Sequence, residues 1–187
     1  MKNIAIFASG SGSNAENIAH YFAHNSAANV SLIISNNENA FVHQRAKNIG
    51  VKSFTFSNQE FKDSDAVLEL LREYRIDFIV LAGFLIKVSK ELIEAYPNAI
   101  VNIHPALLPN YGGKGMYGDK VHQAVIDAKE KESGITIHYV NEKYDEGNII
   151  FQAKCGVEEH DTPHSLADKV HQLEYHYYPE VIGQLLE

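Results

Sequence analysis

The sequence contains a single cysteine, Cys155, so neither an internal disulfide framework nor a thiolate zinc site can be built from it. Long apolar runs are missing too. The most apolar stretch, residues 78–82, falls far short of the ~18 residues of a membrane-spanning helix, and the opening MKNIAIF lacks a signal peptide's layout. A cytoplasmic enzyme or binding protein with no membrane partner is therefore expected. Positive charge is scarce: 16 Lys and Arg stand against 24 Asp and Glu, a net charge of −8 with histidines neutral. That balance argues against a non-specific grip on nucleic acid, and any anionic ligand must be held by a local device. Neither a Gly-x-Ser-x-Gly elbow nor a Walker lysine occurs.

What is present suffices for one core. The chain has 187 residues, 45% hydrophobic and 21% charged, which fits a single domain over residues 1–187. Short apolar runs alternate with helical periods, the pattern of an α/β fold: a doubly wound, mostly parallel sheet with a Rossmann-like N-terminal half. Strands are expected at residues 2–8, 30–35, 52–56, 78–82 and 100–104. Helices are expected at about 14–24, before Gly50, at about 63–75 and at about 89–95. A glycine-rich segment, 107–118, precedes a helix carrying Val121, Ala124, Val125 and Ala128. Period-two alternation at 135–140 and 149–157 reads as two added, antiparallel strands. Thr162-Pro163 opens a closing helix that runs toward Leu186, with a kink expected at Pro179.

Three places carry chemistry. Ser9-Gly10-Ser11-Gly12-Ser13-Asn14 follows the first strand and opens a helix, where glycines, hydroxyls and free N–H groups converge as a phosphate cradle. The same residues admit two other readings. Gly10-x-Gly12-x-x-Ala15 is a dinucleotide fingerprint, although the acid expected about 20 residues on is missing. Ser13-x-x-Glu16 is a capping box, in which Glu16 would compete with an anion for the helix's free N–H groups. Second, Asn102 and His104 share one face at the carboxyl end of a strand, as a donor and an imidazole beside a developing negative charge. Their alternative is a core histidine near a strand end. Third, Asp145 lies in the turn between the last two strands and is expected to face the same crevice and hold the His104 pKa above its ordinary ~6.5. Of the ten histidines, His160 with His164 and His171 with His176 have helical ligand spacing but read as solvated faces. Cys155 falls in phase with apolar neighbours and reads as a packing thiol.

Taken in order, Ser9–Asn14, Val80-Leu81-Ala82-Gly83-Phe84, Asn102-Ile103-His104-Pro105-Ala106-Leu107-Leu108-Pro109 and His138 through Asp145-x-Gly147-x-Ile149-Ile150 resemble the phosphoribosylglycinamide formyltransferase family over nearly the whole chain. The resemblance implies the formyltransferase fold and transfer of a formyl group from 10-formyltetrahydrofolate to the amine of 5-phosphoribosylglycinamide in purine synthesis, without a metal. By matching motif, the catalytic trio falls on Asn102, His104 and Asp145. Gly12, Ser13, Asn14 and Glu174 match substrate-binding positions. The folate pocket falls on Leu85, Ile86, Lys87, Val88 and Asn102, together with Asn141, Glu142, Lys143, Tyr144 and Asp145. Two family arginines are absent, since Ile86-Lys87 and Ser64 stand there, and Lys62 or Lys87 could replace them. The segment 112–115 could close as a lid, and the resemblance fits a monomer or weak homodimer. The rivals are a formyltetrahydrofolate deformylase, methionyl-tRNA formyltransferase, which typically adds a tRNA-holding domain, and a non-catalytic nucleotide-binding module.

Overall fold

The computed structural model describes residues 1–187. Strand β1 (Lys2–Phe7) is buried on both faces because its side chains split by alternation: Ile4 and Ile6 join one apolar layer, Ala5 and Phe7 the other. On one flank it pairs in parallel with β2 (Ala28–Ser35), which pairs with β3 (Lys52–Thr55). On the other it pairs with β4 (Phe78–Leu81), which pairs with β5 (Ile100–His104). β6 (Glu132–Tyr139) and β7 (Ile149–Gly156) then add antiparallel, completing a seven-stranded sheet of order β3-β2-β1-β4-β5-β6-β7. The chain therefore reverses direction across the sheet between β1 and β4, which opens a crevice at their carboxyl ends.

Helices α1 (Ser13–Ala23), α2 (Val42–Asn48), α6 (Asp119–Asp127) and α7 (Pro163–Leu186) supply residues to one layer; α3 (Asn58–Asp63), α4 (Asp65–Glu73) and α5 (Lys90–Ala95) supply the other. The helix expected over about 63–75 is preceded by α3, a separate short helix that sequence periodicity missed. Ser57 and Glu60 close a capping box at its start, and Ser64, left-handed at φ 66°, divides it from α4. One continuous helix runs through Pro179. Proline has no N–H, so the Tyr175 carbonyl four residues back loses its helical donor; the Asn17 amide of α1 donates to it instead at 2.8 Å. Fully buried Tyr178 places its hydroxyl 2.8 Å from the Leu81 carbonyl and 3.3 Å from that of Val101. These bonds fix α7 to α1, to the carboxyl end of β4 and to the start of β5.

Candidate active site

The turn after β1 forms one end of the site. Gly12 caps α1 at φ 74°, and no side chain caps the helix. Glycine is required there twice over: the left-handed φ disfavours any Cβ, and one would come within 2.3 Å of Val42 Cγ2 and 2.8 Å of its Cα. The Ser13-x-x-Glu16 box does not form, because Gly12 takes the cap position and Glu16 instead pairs with Arg45. The Ser9 hydroxyl accepts the Leu85 N–H at 2.9 Å, joining this turn to the segment after β4. In the first turn of α1, Asn14 donates to Glu174 Oε2 at 2.8 Å. Burial pushes the Glu174 carboxyl above its ordinary range, and the Asn14 bond partly opposes this. Asn14 Oδ1 and His122 Nδ1 are buried with no partner in the chain, and both residues line the cavity. Polar groups left in that state are available to a ligand group or an ordered water.

β5 and β6 form the opposite wall. Antiparallel register sets Asn102 across from His138 and His104 across from Thr136. His138 Nδ1 lies 2.8 Å from the Tyr139 carbonyl, an obligate acceptor, so Nδ1 carries the proton and Nε2 accepts the Asn102 amide at 3.2 Å. By the same logic His104 Nε2, 2.7 Å from the Tyr111 carbonyl, is the protonated nitrogen, leaving Nδ1 to titrate. Asp145 stands between the rings: Oδ2 is 3.6 Å from His104 Nδ1, and Oδ1 is 3.6 Å from His138 Nε2. The Gly113 N–H donates to the same carboxylate at 2.9 Å. The turn presents Asp145 inward because the residue itself is left-handed at φ 54°, while Gly147 passes so close to the Tyr139 carbonyl that a Cβ would lie 1.6 Å from it.

The electrostatics correct one expectation. Burial, with His104 only 4% exposed, holds its pKa below the ordinary histidine value; Asp145 and the Tyr111 carbonyl pull upward but do not win. The resting ring is therefore neutral near pH 7. For Asp145, burial raises the carboxyl, but the adjacent His138 ring, the Gly113 N–H and the His104 ring together outweigh it and leave the pKa below the usual carboxylate range.

Both walls enclose one cavity of about 530 Å³. Gly12, Ser13, Asn14, Glu174, Asn102, His104, Asp145, Leu85, Ile86, Lys87, Val88, Asn141, Lys143 and Tyr144 all line it. Glu142 is exposed and not among the lining residues, and neither is Lys62; Lys87 is, with its ammonium 5.7 Å from the Tyr144 ring centre. Sequence reasoning singled out no site role for His138, His122 or His171, which also line the cavity. The alternation of β6 puts His138 in phase with Thr136, but its pairing with Asn102 needs the strand register. No group of three or more His, Cys, Asp or Glu side chains is placed to hold a metal ion.

Comparison with known proteins places the chain in a family. The formyl transferase family model matches residues 2–182. The chain is 40% identical to a chloroplastic phosphoribosylglycinamide formyltransferase of Arabidopsis thaliana, covering all of this chain and 66% of that protein. It is 37% identical to the phosphoribosylglycinamide formyltransferase of Bacillus subtilis, covering 100% and 95% of the two. The crystal structure of phosphoribosylglycinamide formyltransferase from Streptococcus pneumoniae superimposes with a TM-score of 0.89 at 39% identity over the whole of both chains. That from Bacillus halodurans does so with a TM-score of 0.90 at 37% identity, over 100% of this chain and 96% of that one. By fold, family model and full-length likeness, the chain belongs to the formyl transferase family.

Proposed function

We propose that the chain transfers the formyl group of 10-formyltetrahydrofolate to the amine of 5-phosphoribosylglycinamide, a step in purine synthesis. The observation that carries this is the convergence of Asn102, His104 and Asp145 on one wall of a cavity whose far end is the Gly12–Asn14 turn. The turn offers backbone N–H groups and the α1 N-terminus to the phosphate. Glu174, the unpartnered Asn14 Oδ1 and His122 supply polar groups for the rest of the ribonucleotide. The apolar side of the cavity, Ile86, Val88 and Val140, suits the flat pterin ring, and Lys87 and Lys143 suit its anionic tail. Both substrates are small molecules, and the charge of −8 argues against a nucleic-acid partner.

The residues divide the work. Asn102 spends one amide hydrogen on His138, leaving the second for the formyl oxygen as it becomes negative. Neutral His104 takes a proton at Nδ1 from the attacking amine as the new carbon–nitrogen bond forms. The imidazolium so made stands beside the oxyanion and opposite Asp145, and it returns the proton to the folate nitrogen as the old carbon–nitrogen bond breaks. The Tyr111 carbonyl orients the ring through Nε2, and Asp145 stabilises its charged form.

An acceptor panel tests the proposal. Folate release from 10-formyltetrahydrofolate is followed with phosphoribosylglycinamide, charged initiator tRNA or water alone. Release that requires phosphoribosylglycinamide is expected; equal release with water would assign a deformylase, and none with any acceptor a binding module.

A further inference from the structure

Arg45 does not line the cavity, yet its contacts run to the turn that forms the cavity's anion-binding end. On α2, its Nε donates to the Ser11 carbonyl at 2.9 Å, a terminal nitrogen pairs with the Glu16 carboxylate, and its guanidinium sits 5.1 Å from the Phe41 ring centre. The neighbouring Val42 N–H donates to the Gly10 carbonyl at 3.1 Å. The Gly10 and Ser11 carbonyls are thus held by α2. In a trans peptide the following N–H points the opposite way, so the Ser11 and Gly12 N–H groups are turned from α2. Glu16 lies in the first turn of α1 and is the one acidic residue there. Helical side chains slant toward the N-terminus, so an unpaired Glu16 would swing toward the free N–H groups of that helix end, where carboxylates are stabilised and where a phosphate would have to displace it.

We propose that Arg45 is a positioning residue for the ribonucleotide phosphate: it holds the Glu16 carboxylate on the α2 side and so keeps the α1 N-terminus open to the anion. The inference rests on the ribonucleotide reading of the cavity. It assigns no contact between Arg45 and substrate, and it gives Glu16 the role of a competitor that must be restrained.

The test compares steady-state constants of the parent, Arg45→Met, Glu16→Gln and the double variant. Met keeps an apolar stem against Phe41 while removing the guanidinium. The released carboxylate should raise the KM for phosphoribosylglycinamide about tenfold, the scale of a charge acting at a helix terminus. kcat and the folate KM should stay within about twofold, because Arg45 touches neither the reacting atoms nor the folate end. Glu16→Gln alone should behave as the parent, and adding it to Arg45→Met should recover most of the lost affinity. A merely structural role for Arg45 would not be rescued by neutralising Glu16. Should Arg45→Met fail to fold, Arg45→Gln, which retains an amide donor for Ser11, replaces it with the same expectations. A ribonucleotide KM within twofold of the parent, or a rise that Glu16→Gln does not reverse, would overturn the proposal. Parent enzyme assayed with dephosphorylated ribosylglycinamide separates the two readings: indifference to the phosphate would remove the cradle itself, whereas a phosphate preference insensitive to Arg45 would remove only the role given to Arg45.

Discussion

Asp145→Asn removes one negative charge while nearly conserving the side chain's shape. At 3.6 Å from His104 Nδ1 and an effective dielectric near 20, the carboxylate attracts an imidazolium by roughly 4.6 kcal/mol, reduced to about 3 by the water that reaches a partly exposed group. If that attraction is felt mainly as the proton arrives on His104, kcat should fall by about two orders of magnitude. The pH dependence carries the sharper information. Asp145 is ionised throughout the working range, since its pKa lies below the usual carboxylate value. An acid limb in kcat/KM that reflects loss of the neutral ring therefore belongs to His104, whose pKa burial already depresses. Asparagine withdraws the one nearby charge that favours protonation, so the limb should move to lower pH, while the acceptor amine titrates identically in both enzymes. Folate release measured across pH with parent and variant decides the matter. A superimposable profile, a limb displaced to higher pH, or kcat within a few-fold of the parent would refute the coupling. If the two residues act together as proposed, Asp145→Asn with His104→Ala should be little worse than the poorer single variant, and fully additive losses would contradict a shared role.

Asn102→Ala should lower kcat on the order of 10²–10³ with little change in KM, and near-parental activity in a folded variant would remove it from the mechanism. Gly12→Ala should cost about 1–3 kcal/mol in thermal unfolding, because the Cβ meets Val42 at a left-handed φ, and should raise the ribonucleotide KM; parental stability and affinity together would show that the turn tolerates the clash. In the folded chain burial holds both His104 and His122 below the ordinary histidine value, so the unfolded chain binds more protons on acidification. The stability they contribute is complete above about pH 6.5 and is lost as pH falls through that value toward their folded pKa values. His122→Gln removes one contributor, and its Tm should decline less steeply between about pH 6.5 and 5; an unchanged slope would show that His122 is not held neutral.

The strand–turn–helix at Ser9–Asn14 and the shared face of Asn102 and His104 were legible because each depends on local chemistry: glycine's backbone freedom and the two-residue period of a strand. Gly12 rather than Ser13 caps α1 because Val42 packs against the turn, a contact set by an element thirty residues away. The His138–Asn102 bond was not legible either, since it depends on the antiparallel register of β5 and β6. Glu142 points away while Asp145 points in because the turn follows no period, and the left-handed Asp145 resets its direction. The sign of the His104 shift could not be read from a neighbouring acid in the sequence: burial set it.

The central claim is that this site moves a formyl group between two bound molecules. The most direct measurement supplies donor labelled with carbon-13 in the formyl group, together with phosphoribosylglycinamide, and follows the label by NMR for the parent and for His104→Ala. The parent should place the label on the ribonucleotide amine, one formyl for each folate released, and His104→Ala should do so far more slowly with both substrates still bound. Label recovered as free formate, or transfer at the parental rate without His104, would contradict the claim.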